Sequence, residues 1–379
     1  MIGLYFHIPF CVKKCFYCAF SSIPQTDYTD SFANRYIYAL CKEMSVNSAN
    51  EDGKPKVDTV FFGGGTPSLL EPAAVDYIYQ HAKKYFDISG ETEFSIEANP
   101  GTIGEDKLRA YRNLGVNRIS IGGQTFSNEH LHKLGRIHTC EELDYALKTA
   151  IKMDFNSVNL DLIFGFPGQT FDSFKHDLKK IAGYNLQHLS LYMFTPEDGT
   201  PLGDSVLSDE ETIPSDEELA DMMNFAHDFL TKEGYNHYEL SNYCIDGYEC
   251  RHNLKYWKYS EYRGFGASAC SFRRRFRYKN ISDPHDYVYK TEHNFLPFES
   301  GECLSQERAI GEYVILALRT AKGIAENEFR CIFGVDFNLY YENILEELVA
   351  GGFLGHQNGF WYIPFKHFPI QSEICGKFI

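Results

Sequence analysis

Short apolar runs recur through the first half of the chain, at residues 4–8, 57–62, 93–98, 118–122, 158–164 and 189–194. Between them lie helix-like stretches at 29–46, 71–86, 106–114, 141–153 and 171–181. The first pattern is that of buried strands, the second that of helices with one apolar face. Strands alternating with helices predict a parallel sheet with right-handed crossovers. Six such units predict an α/β fold built on a partial (βα)6, TIM-like barrel rather than a closed eightfold one. In β/α barrels the reacting groups gather at the C-terminal ends of the strands, on the loops that lead into the helices.

The pattern breaks at Thr195-Pro-Glu-Asp-Gly-Thr-Pro201 and at the acidic stretch 209–218. Turn formers and a run of acids mark a surface connection. Residues 216–233 then read as an amphipathic helix, and 235–272 as an aromatic-rich strand and loop region. From residue 306 the pattern predicts three helices, a hairpin around 355–360 and a last helix ending at 379. The expected organisation is a barrel at 1–200, a linker and extension to the barrel at 201–300, and a C-terminal α+β, winged-helix-like domain at 301–379.

Composition narrows the partners. The chain has 379 residues, 44% of them hydrophobic, and a formal charge of −16 from 36 basic and 52 acidic side chains. That balance favours solubility and argues against nonspecific binding to nucleic acid or anionic membrane. The tail from residue 305 holds six basic and nine acidic residues, so its winged-helix pattern does not imply DNA binding. Eleven cysteines, an odd number scattered along a long chain, suit a reducing cytosol better than a disulfide framework. No charged leader and apolar core precede Gly3, and no apolar run reaches the roughly 18 residues of a spanning helix. The expectation is a cytoplasmic protein with no integral membrane segment.

Directly after the first apolar run, Cys11, Cys15 and Cys18 are spaced C-x3-C-x2-C. Three thiolates suit an iron-sulfur cubane that keeps one iron open for a small molecule. Zinc is the alternative, but a structural zinc site takes four ligands and would have to recruit His7 or a distant side chain. Packing of the cysteines on one helix face is a second alternative, which Pro9 and the flanking aromatics oppose. Gly63-Gly-Gly-Thr-Pro-Ser68 follows the second run. Its glycines expose backbone N–H donors, and it lacks the Gly-Lys-Ser/Thr end of a P-loop. Polar residues then fall at the ends of the later runs: Glu97, Gln124 and Asp161, with Arg136 twelve residues after Gln124. Their repetition on one predicted rim marks a site.

These motifs resemble the radical S-adenosylmethionine (radical SAM) superfamily, and within it the oxygen-independent coproporphyrinogen III oxidase-like group, across nearly the whole chain. The strongest elements are Tyr5-x-His7-Ile-Pro-Phe-Cys11-x3-Cys15-x2-Cys18, Gly63-Gly-Gly-Thr-Pro-Ser68, Ile96-Glu97-Ala-Asn-Pro100, Gly122-Gly-Gln124 and Asn159-Leu-Asp161. The resemblance implies a 4Fe-4S cluster on Cys11, Cys15 and Cys18 whose free iron chelates the amine and carboxylate of S-adenosylmethionine. It further implies adenosylmethionine contacts at Tyr5, Tyr17, Gly64, Gly65, Thr66, Glu97, Gln124, Arg136 and Asp161, and one-electron cleavage of that cofactor to a radical that abstracts hydrogen.

Departures sort the branches. The coproporphyrinogen-oxidising branch carries a fourth cysteine two residues past the third, where this chain has Phe20. His252-Asn253-Leu-Lys-Tyr256-Trp257 resembles the H-N-x-x-Y-W signature of the heme chaperones in the group. The glycine-rich segment 264–271 has Cys270 where those chaperones often carry histidine, so no heme ligand is assigned there. The leading expectation is a heme chaperone that binds heme or a related tetrapyrrole near the barrel mouth, with His252 as candidate heme-binding residue, and serves a heme-accepting respiratory protein. The alternatives are an oxygen-independent coproporphyrinogen III oxidase and an anaerobic radical methyltransferase that degrades heme. The basic run Arg273-Arg-Arg-Phe-Arg277-Tyr-Lys279 is expected either as a solvated hairpin or loop, or as a partner for porphyrin propionates.

Overall fold

The computed structural model describes residues 1–48 and 53–379. They form two compact units that interleave along the sequence: residues 1–215 with 261–302, and residues 216–260 with 303–379.

In the first unit the six expected strands are β1 (Ile2–Ile8), β2 (Lys56–Gly64), β3 (Asp87–Ala98), β4 (Arg118–Gln124), β5 (Ser157–Phe164) and β6 (His188–Met193). They pair in parallel in chain order. The intervening helices are α1 (Asp30–Ser48), α2 (Pro72–Tyr85), α3 (Glu105–Leu114), α4 (Cys140–Lys152) and α5 (Phe171–Ile181). Strands covered on both faces read as nearly unbroken apolar runs, which is why they stood out in the sequence. The helix ends are set locally. Thr139 with Glu142 and Thr170 with Ser173 form capping boxes at the starts of α4 and α5, while α3 stops on Gly115 in the left-handed region.

The rest of this unit's sheet comes from 261–302, inside the region expected to extend the barrel, though the individual strands were not expected. A seventh parallel strand, β7 (Tyr262–Phe265), lies on the free side of β1, with Tyr262 beside Gly3 and Phe265 beside Phe6. Beyond it come β8 (Cys270–Arg273), antiparallel to β7, then β9 (Phe276–Asn280), antiparallel to β8, and finally β10 (Phe298–Cys303). The basic run is therefore a hairpin. Aromatic rings bridge the four central strands, with centroids 5.7 Å apart for Phe6 and Phe265, 4.8 Å for Phe6 and Phe62, and 5.6 Å for Phe62 and Phe94.

One buried carboxylate ties α1 to this extension. Glu43 accepts from Tyr287 Oη (2.6 Å), Asn280 Nδ2 (2.7 Å) and the backbone N–H of Gly266 (2.9 Å). Nearby on α1, Tyr36 donates to His7 O (2.9 Å) and accepts from Ala267 N–H (2.8 Å). The segment after β7 is thus fixed to the end of β1 through α1.

The second unit contains the helix Asp216–Lys232, an antiparallel pair Asn236–Glu239 and Asn242–Cys244, and the helices Arg251–Trp257, Gln306–Ala317, Glu326–Phe333 and Glu342–Ala350. Its small sheet places Phe360–Tyr362 between Ile324–Ala325 and Gly355–Gln357. Asn358 and Gly359 have φ of 53° and 78°, the backbone of a tight primed hairpin turn. The last helix is Gln371–Gly376, ending three residues before the expected 379, and it follows a 3-10 turn at Phe365–Ile370 that contains Pro369. The expected 201–300 extension is shared: 216–260 belongs with the tail, and 261–302 extends the barrel sheet. No described helix is long and apolar enough to cross a membrane.

Glu43→Ala would leave the Tyr287 hydroxyl, the Asn280 amide and the Gly266 N–H without their acceptor. The expected cost is roughly 2–4 kcal/mol, read as a lowered midpoint in urea unfolding with an unchanged slope.

Candidate functional site

The cysteines sit on the loop that leaves β1. Its ends are pinned where Phe10–Cys11 pairs in parallel with Ile23–Pro24, and Ile23 N–H donates to Pro9 O at 2.7 Å. Its middle is pinned through Phe16, whose N–H donates to Leu134 O (3.1 Å) and whose carbonyl accepts from Leu202 N–H (2.8 Å). Phe16 and Tyr17 pack on Leu134, Ile163, Phe166, Phe194 and Leu202, an apolar floor under the far side of the loop. His7 Nε2 donates to Ser21 O (2.8 Å) while its Nδ1 accepts from Tyr5 Oη (3.1 Å). Cys11 is buried, and Cys15 and Cys18 are half-buried.

The end of β2 lies against Cys11. Gly65 N–H donates to Ile8 O and Thr66 N–H to Phe10 O, both at 2.8 Å. Thr66 Oγ1 donates to Cys11 Sγ at 3.6 Å. A Cβ on Gly65 would stand 2.8 Å from Phe10 O and 3.0 Å from Cys11 Sγ, so only glycine allows this approach. Gly64 has φ of 114°, and its N–H donates to Glu97 Oε2 at 3.1 Å.

Arg136 joins the remaining rim. Its Nη2 donates to Asn99 Oδ1 (2.5 Å) and Gly122 O (2.6 Å), its Nη1 reaches Cys15 Sγ (3.5 Å), and its Nε–H has no acceptor. Asn99 in turn donates to Thr66 Oγ1 at 2.9 Å, which completes a chain from Cys15 to Cys11. A register shift between Gly122 and Gln124 and a φ of 67° at Gln124 end β4 at this point. Asp161 accepts from Ser120 Oγ (2.8 Å) and Asn159 Nδ2 (2.7 Å). Enclosure by protein and, second, the charge of Asp161 push the Glu97 carboxyl up to about 8. Asp161 is itself held above the ordinary carboxylate range by desolvation, against the pull of its hydrogen bonds. Two carboxyls that resist ionising together favour a ligand that brings N–H or O–H donors between them.

A family model described as the radical SAM superfamily matches residues 5–181. The heme chaperone HemW of Lactococcus lactis subsp. lactis is 33% identical over 377 residues, with 99% of this chain and 96% of that protein covered. The heme chaperone HemW of Escherichia coli K12 is 34% identical over 376 residues, with 96% and 94% covered. The chain belongs to the HemW family of radical SAM proteins. Its structure also resembles that of the radical SAM enzyme coproporphyrinogen III oxidase (HemN) from Escherichia coli, with a TM-score of 0.85 at 25% identity, covering 100% of this chain and 89% of that one.

Membership in the radical SAM superfamily implies a 4Fe-4S cluster and S-adenosylmethionine. The residues present fit both. The loop offers three thiols and the glycine turn a close backbone approach, while Arg136 keeps an unused buried N–H. No three His, Cys, Asp or Glu side chains among the described residues converge as the ligands of a single ion would. Cysteines of a cubane take separate irons, so they line a socket instead of meeting at a point. Desolvation holds the Cys11 and Cys18 thiols above their usual range, a preference that metal coordination reverses.

All nine residues expected around adenosylmethionine, Tyr5, Tyr17, Gly64, Gly65, Thr66, Glu97, Gln124, Arg136 and Asp161, belong to this first unit: Tyr5 and Asp161 lie within β1 and β5, Gly64, Glu97 and Gln124 at strand ends, and the others on the loops. His252 belongs to the second unit. It lies on the helix Arg251–Trp257 rather than in a loop, buried, with Nε2 bonded to Tyr256 Oη at 3.0 Å. The residue that sequence reasoning missed is Asn99, whose bond to Arg136 is invisible from a motif in which it reads as a turn former before Pro100. Phe20, two residues past Cys18, is 69% exposed.

Arg136→Ala would free Asn99 Oδ1 and Gly122 O and unpin Cys15. The expected result is a loss of about 1–3 kcal/mol in stability and faster alkylation of Cys15, followed by mass spectrometry of the labelled peptide. A second expectation concerns pH. The folded chain holds the Glu97 proton to about pH 8 against an ordinary value of 4.5. The stability that this proton contributes is complete below the ordinary value and disappears as pH rises through the folded one. Wild-type protein without added adenosylmethionine should therefore lose stability relative to Glu97→Gln between about pH 5 and about pH 8, as urea midpoints at both ends would report.

Proposed function

We propose that the protein is a HemW-type heme chaperone of the cytoplasm that carries a 4Fe-4S cluster on Cys11, Cys15 and Cys18, binds adenosylmethionine beside it, and hands heme to a respiratory acceptor. The observation that carries this reading is the alignment with heme chaperones along almost the full length of both chains, 99% here and 96% in the Lactococcus relative. It extends through the second unit, which the barrel chemistry alone does not need.

In this reading the chain's own groups position the cofactors. Thr66 and Arg136 place donors on Cys11 and Cys15 sulfur, and hydrogen bonds to cluster sulfurs tune its potential. The Gly64-Gly65-Thr66 turn gives room for the methionyl end of adenosylmethionine, and the guanidinium of Arg136 suits its carboxylate. Glu97 and Asp161 accept from amine or ribose hydroxyls, with Tyr5, Tyr17 and Gln124 completing the wall. When bound, the cluster supplies the electron that cleaves adenosylmethionine. Heme iron takes a neutral imidazole, and desolvation pushes His252 down to about 3, which keeps it neutral at physiological pH. Ligation there requires Tyr256 to release Nε2.

A second reading, oxidative decarboxylation of coproporphyrinogen III, is favoured by the fold likeness to HemN. The experiment that separates the two starts from anaerobically reconstituted protein with reductant and adenosylmethionine, offered heme and coproporphyrinogen III separately, with products followed by mass spectrometry. Stable heme binding without turnover of either tetrapyrrole is the expected outcome, and His252→Ala should weaken that binding. Formation of protoporphyrinogen would assign the protein to the oxidase reading instead. Replacing all three loop cysteines with serine should abolish iron incorporation.

A further inference from the structure

The basic hairpin builds a concavity at the end of the sheet away from the cysteine loop. Tyr262 pairs with Gly3 at the start of β1, whereas the cysteines follow its end at Ile8. Tyr262 also faces Phe272, and Arg273 and Phe276 close the hairpin beyond it. A cavity of about 300 Å³ there is lined by residues that include Asn47, Tyr262, Arg273, Arg274, Phe276 and Tyr278. A second of about 250 Å³ shares Asn47, Phe276 and Tyr278 with it and is otherwise lined by Glu43, Asn280 and the Leu296-Pro297-Phe298 segment. The oxygens of Glu43 are already engaged by Tyr287, Asn280, Gly266 and, at 3.5 Å, Asn47, and the nearby Glu299 faces Lys279 at 3.6 Å. Phe276, Leu296 and Phe298 are all exposed beside the cavities.

Guanidinium groups next to exposed apolar and aromatic surface, in a chain of net charge −16, suit a ligand with a flat apolar body and carboxylates at one edge. The turn itself supports a binding role. Arg274 and Arg275 both take positive φ, 48° and 68°, where Asn-Gly is the preferred pair. Non-glycine residues in that region cost roughly 1–2 kcal/mol each, so folding alone would favour other residues there.

We propose that this concavity binds a tetrapyrrole, with ring carboxylates on the hairpin arginines and the ring face against Phe276, Leu296 and Phe298, at the opposite end of the sheet from the cluster. The proposal rests on the tetrapyrrole-handling reading above and gives that reading a docking place that does not compete with adenosylmethionine.

The test uses full-length protein, as wild type and with His252→Ala so that ligation at that residue does not mask the concavity, titrated with heme and, separately, with coproporphyrin III, followed by absorbance. The double variant Arg274→Asn, Arg275→Gly removes two guanidiniums while supplying the preferred turn, so its urea midpoint should match or exceed that of wild type. Its affinity for heme should fall roughly tenfold or more, the scale of one lost charge-assisted contact. Arg274→Glu should weaken binding further. Coproporphyrin bound with the same sensitivity supports recognition through ring and carboxylates; heme alone bound with that sensitivity supports the site with a contribution from iron. Wild-type heme affinity in both variants would overturn the docking site and leave the chaperone reading standing. Failure of wild-type protein to bind either ligand would overturn both.

Discussion

An arginine side chain enclosed by protein must find fixed acceptors for its donors, and the acceptors that Arg136 finds set the shape of the rim. Asn99 Oδ1 and Gly122 O come from the ends of neighbouring strands, and Cys15 Sγ comes from the loop after the first. Each is useful only in one orientation, so the guanidinium fixes three segments of backbone at once. Asn99 carries that constraint to Thr66, and Thr66 carries it to Cys11. The loop positions of two cysteines and of the glycine turn are thus tied to one guanidinium, whose Nε–H stays without an acceptor. Gly135 permits the arrangement from below. A Cβ there would stand 2.8 Å from the Phe16 ring, and Phe16 is the residue that docks the loop on its apolar floor.

Legibility in the sequence followed the range of the interactions. β1 to β6 could be read because burial on both faces leaves an apolar run in one short window; Glu97 and Gln124 could be read because they are polar residues closing such runs, and Asp161 because an acid stands inside one. Glu43 could not. On α1 it looks like any acid on a solvated face, and its partners lie more than 200 residues away, in a segment that begins after the chain has passed through the second unit. For the same reason β7 escaped notice: it is four residues long and becomes a barrel strand only by lying beside β1. His252 read as a loop residue because its neighbours are polar and aromatic, yet the four-residue spacing to Tyr256 is that of one helix face, which is the geometry observed.

The likeness to HemN covers this entire chain, so barrel and tail architecture cannot by themselves separate a chaperone from an oxidase. The difference has to lie in side chains. Phe20 is informative because of where its loop goes. The cysteine loop is held at Phe10–Cys11 against Ile23–Pro24, at Phe16, and at the turn in which Cys18 N–H reaches Cys15 O at 3.3 Å. None of these contacts involves the side chain of residue 20, which stands largely exposed. A cysteine in its place would leave the three-thiol socket as it is and add a thiol beside it. Exchange at this position therefore alters the surface beside the three thiols without altering the backbone contacts that hold their loop.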